Sequence, residues 1–214
     1  MNSAVAKQFL LIQNKPILFH TLLAFKKSDP AIELVVVLPQ HQLDYWSQLC
    51  VEFPEILELT PHRIVAGGET RFHSSKNAID SIQEDADVFV AIHDGVRPLI
   101  EPATIHQAFD KANQLGNCVV AVSSKDSIRI WDDASKVYKS VRRDHVKIIQ
   151  TPQIFLLSTL KKAFNQAYSS EFTDDASVVE CFGETIHLIE GEYTNLKITT
   201  PEDLLVAEKI VEPK

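Results

Sequence analysis

Short, strongly apolar runs alternating with stretches of helical periodicity constrain this chain most. Ile32 to Leu38 (IELVVVL), Asp87 to His93 (DVFVAIH) and Asn117 to Val122 (NCVVAV) have the length and β-branched content of strands buried on both faces. Lys15 to Lys27 places Ile17, Leu18, Thr21, Leu22 and Phe25 on one stripe, with Pro16 suited to a first helical turn. Helical spacing returns through Tyr45 and Leu49, over Ser74 to Ile82 and over Pro102 to Leu115, and a short strand is expected at Arg63 to Ala66. Further on, helices are expected at Ser158 to Tyr168, at Asp174 to Cys181 and from Pro201, with a strand at Thr185 to Glu190. Strands interleaved with helices need crossover connections, so the expected fold class is α/β: a mostly parallel sheet with helices on both faces, binding ligands at the carboxyl ends of its strands. No repeat or linker divides the chain, which reads as a single domain over residues 1–214.

Lys125 to Gln150 breaks this rhythm. Ser127 to Trp131 and Lys136 to Arg142 read as two short strands around Asp132, Asp133, Ala134 and Ser135. Such a β-arm has too little core to stand alone and is expected to pack on a second subunit, giving a homodimer.

Charge and composition narrow the partners. With 21 basic and 29 acidic side chains the formal charge is −8, which argues against a general nucleic-acid or anionic-membrane surface but permits a local basic pocket for a phosphorylated ligand. No apolar run approaches the roughly 18 residues that span a bilayer, and MNSAVAKQ has no apolar signal core, so a cytoplasmic location is expected. Cys50, Cys118 and Cys181 are far apart and read as buried thiols rather than metal ligands. Six glycines, where average usage of about 7% gives roughly fifteen, leave no usual glycine-rich phosphate loop.

Four segments carry the polar chemistry. His93-Asp94-Gly95-Val96-Arg97-Pro98 closes an apolar strand and places a carboxylate and a guanidinium at the ligand edge: Asp94 suits a ribose hydroxyl or hydrated Mg²⁺, and Arg97 a phosphate, the alternative being a turn with a surface ion pair. Gly67-Gly68-Glu69-Thr70-Arg71, with Ser74, joins a strand to a helix as either a nucleotide-reading loop or a plain turn. Lys197 lies in the apolar run Asn195 to Ile198, ahead of a helix capped by Thr200 with Pro201 and Asp203 in its first turn. It is either an inward ammonium in need of an anion or an exposed edge lysine. Thr173 to Ser177 reads as a helix cap with acidic first-turn residues. His20 reads as packing, and no GxSxG elbow or HExxH pair is present.

Taken in order, Ala6-Lys7-Gln8-Phe9-Leu10, Lys15-Pro16-Ile17-Leu18, Gly67 to Arg71, His93 to Pro98, Thr151-Pro152-Gln153, Thr173 to Ser177 and Asn195 to Thr199 resemble the 2-C-methyl-D-erythritol 4-phosphate cytidylyltransferases across nearly the whole chain. The resemblance implies a Rossmann-like sheet of the nucleotide-diphospho-sugar transferase type and a dimerising arm at 125–150. It also implies transfer of CMP from CTP to a polyol phosphate, with Mg²⁺ and release of pyrophosphate, in non-mevalonate isoprenoid synthesis. By the same resemblance Lys7 stabilises the transition state, and Lys197 and Arg143 position the attacking phosphate. Gly68, Glu69 and Ser74 contact the cytosine side, Asp94 faces ribose and metal, and Arg97, Ser127, Thr151 and Thr173 surround the acceptor. Ribitol 5-phosphate cytidylyltransferases share most of these motifs, and a non-catalytic dimerisation module is the reading from another class. Ala6 stands where the family has proline. The family's N-terminal strand and glycine-rich loop, ending in Arg-Met, have no counterpart ahead of Lys7: either another segment fills that slot or the sequence begins at an internal methionine, and for the chain as written a sheet short of one central strand and weakened contact to the β and γ phosphates are expected.

Overall fold

Residues 5–83 and 88–211 are described by the computed structural model. After a 3₁₀ turn at Lys7–Phe9 come β1 (Leu11–Ile12), β2 (Lys15–Pro16), α1 (Ile17–Ser28), β3 (Leu34–Leu38), α2 (Leu43–Glu52) and α3 (Glu55–Leu59). β4 (His62–Ala66), α4 (Arg71–Ser81), β5 (Phe89–Ile92), α5 (Pro102–Leu115) and β6 (Asn117–Ser123) follow. The chain closes with β7 (Arg129–Asp132), β8 (Val137–Ser140), β9 (Lys147–Leu156), α6 (Leu157–Ala163), α7 (Asp175–Cys181), β10 (Leu188–Glu190) and α8 (Pro201–Val211).

The alternation predicts most of these elements, and α5 matches its expected bounds because both ends are chemically marked: Pro102 sits in the first turn and Gly116 terminates the helix at φ 89°. Pro16 instead pairs in the β1–β2 hairpin, whose turn residues Gln13 and Asn14 have φ of 48° and 60°, and α1 starts one residue later. Asp87, expected to open the strand β5, lies outside the described residues. Cys50 and Cys118 are buried as expected, but Cys181, at the end of α7, is exposed.

Strand order in the main sheet is β10-β6-β9-β5. β10 runs parallel to β6, whereas β9 runs antiparallel to both β6 and β5. This reversed strand is the one departure from parallel order in that sheet, and sequence periodicity misses it because Pro152 argues against a central strand. Pairing passes from Val119↔Gln153 to Ala121↔Ile149, so the proline falls in the irregular stretch between those pairs, where no ladder hydrogen bond is asked of it. β9 also claims residues 147–150 from the expected arm, leaving the hairpin β7–β8 and the 3₁₀ turn Arg143–His145 as the excursion. On the hairpin Ile130, Trp131, Val137 and Tyr138 are exposed.

Strand alternation divides the core between two helical layers. Cys118, Val120 and Ile154 pack with Ala108 and Ala112 of α5, and their neighbours Val119 and Phe155 pack with Phe72 and Ile79 of α4 and Leu160 of α6. Each fully buried Ile, Leu or Phe on these faces contributes roughly 1.5–3 kcal/mol. β3 and β4 form a separate parallel pair, and no ladder among the described residues joins β3 to β5. No helix among the described residues is long and apolar enough to cross a membrane.

Candidate active site at the carboxyl edge of the sheet

The loop that leaves β5 is held on three sides. Its Asp94 amide donates to Thr151 Oγ1 at 3.1 Å, Arg97 Nη1 donates to the Asn195 carbonyl at 2.8 Å, and the Ile198 amide donates to the Val96 carbonyl at 2.9 Å. These bonds bring Lys197 to the carboxylate: Asp94 Oδ2 lies 3.0 Å from Arg97 Nε and 3.2 Å from Lys197 Nζ. Lys197 is thus no edge-strand lysine. Asn195 is wholly buried and donates to the Thr151 carbonyl and Gln150 Oε1, tying its segment to β9. Burial alone would raise the Asp94 pKa, but the charge of Lys197, the hydrogen bond and charge of Arg97 and the more distant Arg71 outweigh it and hold the carboxyl below the usual aspartate range.

Opposite this loop, α4 is capped by Thr70, whose side chain accepts from the His73 amide, and starts at Arg71, three residues earlier than the periodicity predicts. Ser74 Oγ accepts from the Gly68 amide at 3.1 Å. A Cβ on Gly68 would stand 2.4 Å from His73 Cβ, so only glycine lets this turn close against the helix. Arg71 pairs with Asp175, which is fully buried and also accepts from Ser75 Oγ at 2.8 Å. Burial pushes the Asp175 carboxyl up despite Arg71 beside it. The cap of α7 is Asp174, which accepts from the Ser177 amide, and Thr173 lies outside the helix and is exposed. The Ala176 amide, which a Thr173 cap would serve, donates instead to Gln153 Oε1 at 2.8 Å.

Of the residues expected to form the site, Asp94, Arg97, Thr151 and Lys197 are brought together, and Ser74, which holds the Gly68 amide, lines the same cavity as Asp94. Thr151 is buried and its hydroxyl accepts from the Asp94 amide, which holds the loop in place. Lys7 and Glu69 are exposed, although Gln8, next to Lys7, lines the same cavity as Ser74 and Asp94. Ser127 and Arg143 are exposed near and on the arm, and the Arg143 guanidinium donates to the Lys125 carbonyl at 3.4 Å, not to the Asp94 cluster. A second cleft, of about 400 Å³, runs along Arg97, Lys197 and Gln150, walled by Lys125 stacked over the Tyr193 ring at 3.4 Å. Sequence reading gave no role to Arg71, Asp175 or Asn195. All three stand inside quoted motifs, but their partners are distant in the chain.

Among the described residues no group of three or more His, Cys, Asp or Glu side chains could cage a metal. A lone carboxylate at Asp94 fits a Mg²⁺ ion held chiefly by ligand phosphates and water, the usual arrangement for that ion.

Two histidines are expected to make the fold acid-sensitive. His93 packs edge-on against Phe25, and burial lowers its pKa to about 4. His20 Nε2 meets the Ile12 carbonyl at 2.8 Å, and burial, outweighing that bond, lowers its pKa as well. A depressed histidine leaves the unfolded chain binding a proton that the folded chain refuses, so stability falls as pH drops below the ordinary histidine value near 6.5. The melting temperature is expected to decline from pH 7 to pH 5, and His20→Gln to flatten that decline in part. Scanning calorimetry across this range checks it, an unchanged slope in the variant counting against His20.

The family model "IspD: 2-C-methyl-D-erythritol 4-phosphate cytidylyltransferase" matches residues 1–213. Proteins named 2-C-methyl-D-erythritol 4-phosphate cytidylyltransferase are similar over the whole chain. That of Bacteroides thetaiotaomicron is 42% identical over 99% of this chain and 93% of its own length. That of Lachnoclostridium phytofermentans is 37% identical over 99% and 90%. Among solved structures, 4-diphosphocytidyl-2C-methyl-D-erythritol synthase from Anaerococcus prevotii superimposes with a TM-score of 0.82 at 26% identity, covering 96% of this chain and 93% of that one. The bifunctional IspDF of Campylobacter jejuni gives 0.76 at 28% identity, covering 96% of this chain and 50% of that one. The match runs from end to end, and the chain belongs to the 2-C-methyl-D-erythritol 4-phosphate cytidylyltransferase family.

Proposed function

We propose that the protein transfers CMP from CTP to 2-C-methyl-D-erythritol 4-phosphate. An acceptor phosphate oxygen forms the new bond to the α-phosphorus, the bond from that phosphorus to the bridging oxygen breaks, and pyrophosphate leaves with the electron pair. Two anions must meet and negative charge grows at phosphorus, so fixed cations aimed there supply much of the rate. The observation that carries this reading is the convergence of Lys197 and Arg97 on Asp94 at the carboxyl edge of the sheet.

In this reading Lys197 exchanges part of its contact with Asp94 for the reacting phosphates, and Lys7 reaches them from the turn beside the cavity. Gly68, Glu69 and Ser74 face the cytosine, Asp94 the ribose, and Arg97 the acceptor. Mg²⁺, when bound, offsets the charge of the triphosphate, and Asp94 is the side chain placed to hold it. Ser127 and Thr173 border the acceptor site, and Thr151 keeps the Asp94 loop in register.

The test is pyrophosphate release from CTP with each acceptor in turn. Turnover with methylerythritol phosphate is expected, and turnover with ribitol 5-phosphate alone would overturn the proposal.

Arg143 makes its bond to the Lys125 carbonyl and none to Asp94, and in this reading it serves the site of a partner subunit, with the apolar hairpin as the contact. Arg143→Ala and Lys197→Ala, each inactive alone, are then expected to recover about a quarter of wild-type activity when unfolded and refolded together, since half the dimers are mixed and one of their two sites is intact. No recovery in a mixture shown to contain mixed dimers would place Arg143 in its own subunit's site or in none.

A further inference from the structure

The loop that follows β10 is tied at both ends by its backbone: the Gly191 amide donates to the Ala121 carbonyl at 2.8 Å, and the Ile198 amide to the Val96 carbonyl at 2.9 Å. Of residues 192–197 between these ties, Asn195 alone is buried. Its Nδ2 donates to Gln150 Oε1 at 3.1 Å and to the Thr151 carbonyl at 3.0 Å, both acceptors belonging to β9. Gln150, itself 5% exposed, donates in return from Nε2 to the Glu192 carbonyl at 3.0 Å, and the backbone amide of Asn195 donates to that same carbonyl at 3.0 Å. The fit is close. A Cβ at Gly191 would stand 2.7 Å from Gln150 Oε1 and 2.4 Å from Val120 Cγ1, so only glycine lets the loop lie against this side chain.

We propose that Asn195 and Gln150 are positioning residues for cytidylyl transfer, setting where the Lys197 ammonium and the Arg97 guanidinium stand. The inference rests on the reading that these two cations serve the acceptor and the reacting phosphates. Asn195 acts on both: its carbonyl accepts from Arg97 Nη1 at 2.8 Å, and Lys197 follows it by two residues and reaches Asp94 at 3.2 Å. Fold stability by itself accounts poorly for this asparagine. Its Oδ1 is buried with no hydrogen-bond partner among the described residues, so part of what its two bonds gain is lost again. What the side chain supplies is orientation, because two donors fixed in one plane, each on an acceptor of β9, hold the loop in a single attitude on the strand. Lys197 needs that restraint: its side chain is 44% exposed on a flexible four-carbon stem, and a catalytic group misplaced by about 1 Å loses on the order of a hundredfold in rate.

The experiment is a double-mutant cycle on the whole chain, read by steady-state pyrophosphate release beside calorimetry. Asn195→Ala is expected to lower kcat/KM by at least about thirtyfold in the wild-type background, but by less than about threefold when added to Lys197→Ala, whose residual rate is followed at high enzyme concentration. Its effect on the melting temperature should be the same in both backgrounds. With the other substrate saturating in each case, KM for the polyol phosphate is expected to rise, whereas KM for CTP should stay within about twofold of wild type. Gln150→Met removes the same bond from its other end and is expected to show the same coupling to Lys197, which keeps the test open should Asn195→Ala not fold. Equal fold losses in the two backgrounds, or matched rises in both KM values, would overturn the positioning role and leave the assignment of Lys197 standing. An unimpaired Lys197→Ala enzyme would instead sink the catalytic reading and this inference with it.

Discussion

Lys197→Ala is expected to lower kcat/KM by at least about a hundredfold to a thousandfold, the loss typical when one fixed group stabilising transition-state charge is removed. The melting temperature should hardly move. With its side chain 44% exposed, Lys197 makes an ion pair of the kind that contributes only about 0–1 kcal/mol to folding. Asp94 also keeps Arg97 at 3.0 Å and its amide bond to Thr151, so the loop retains its other ties. Lys197→Arg keeps the charge but replaces a compact ammonium by a planar fork and is expected to restore part of the rate. Steady-state pyrophosphate release beside calorimetry decides the matter, and matched losses in activity and melting temperature would mark the lysine as a fold element instead.

Asp175→Ala should show the reverse pattern, a large loss of stability. The wild-type carboxylate is fully buried, and it joins α7 to α4 by accepting from Arg71 and Ser75. Removing it strands a guanidinium and a hydroxyl together. Breaking a buried pair from one side costs about 3–5 kcal/mol, and the low end applies because Arg71 remains 38% exposed and regains some water. About 3 kcal/mol corresponds to a fall in melting temperature of roughly 6–12 °C for a chain of this size. Asp175→Asn preserves the shape and one acceptor, so its fall should be smaller. A drop of less than about 2 °C in Asp175→Ala would show that the pair only balances its own desolvation.

These contrasting expectations turn on contacts that a linear reading reaches unevenly. Asp94 and Lys197 stand out in the sequence because each is a charge set into an apolar run, a placement that calls for a partner. That the partner of each is the other was not legible, since nothing local couples positions so far apart. Thr151 illustrates the limit from the other side: its motif marks it for the acceptor, and only packing shows its hydroxyl turned to the Asp94 amide. The cap of α7 moved by one residue because the Ala176 amide, which a Thr173 cap would need, is taken by Gln153 Oε1, a partner distant in the chain.

By itself the sequence determined the α/β class, the approximate places of most elements and the family, because periodicity, caps and ordered motifs are written within a few residues of where they act. Tertiary structure alone decided that β9 runs against its neighbours, with its proline in an irregular stretch of pairing, and that Arg71 closes on Asp175. It also decided that residues of β3 and β5 line one cavity with Ser74 and Asp94. These outcomes depend on which distant segments meet, a matter of chain closure and shared burial that local propensity does not encode.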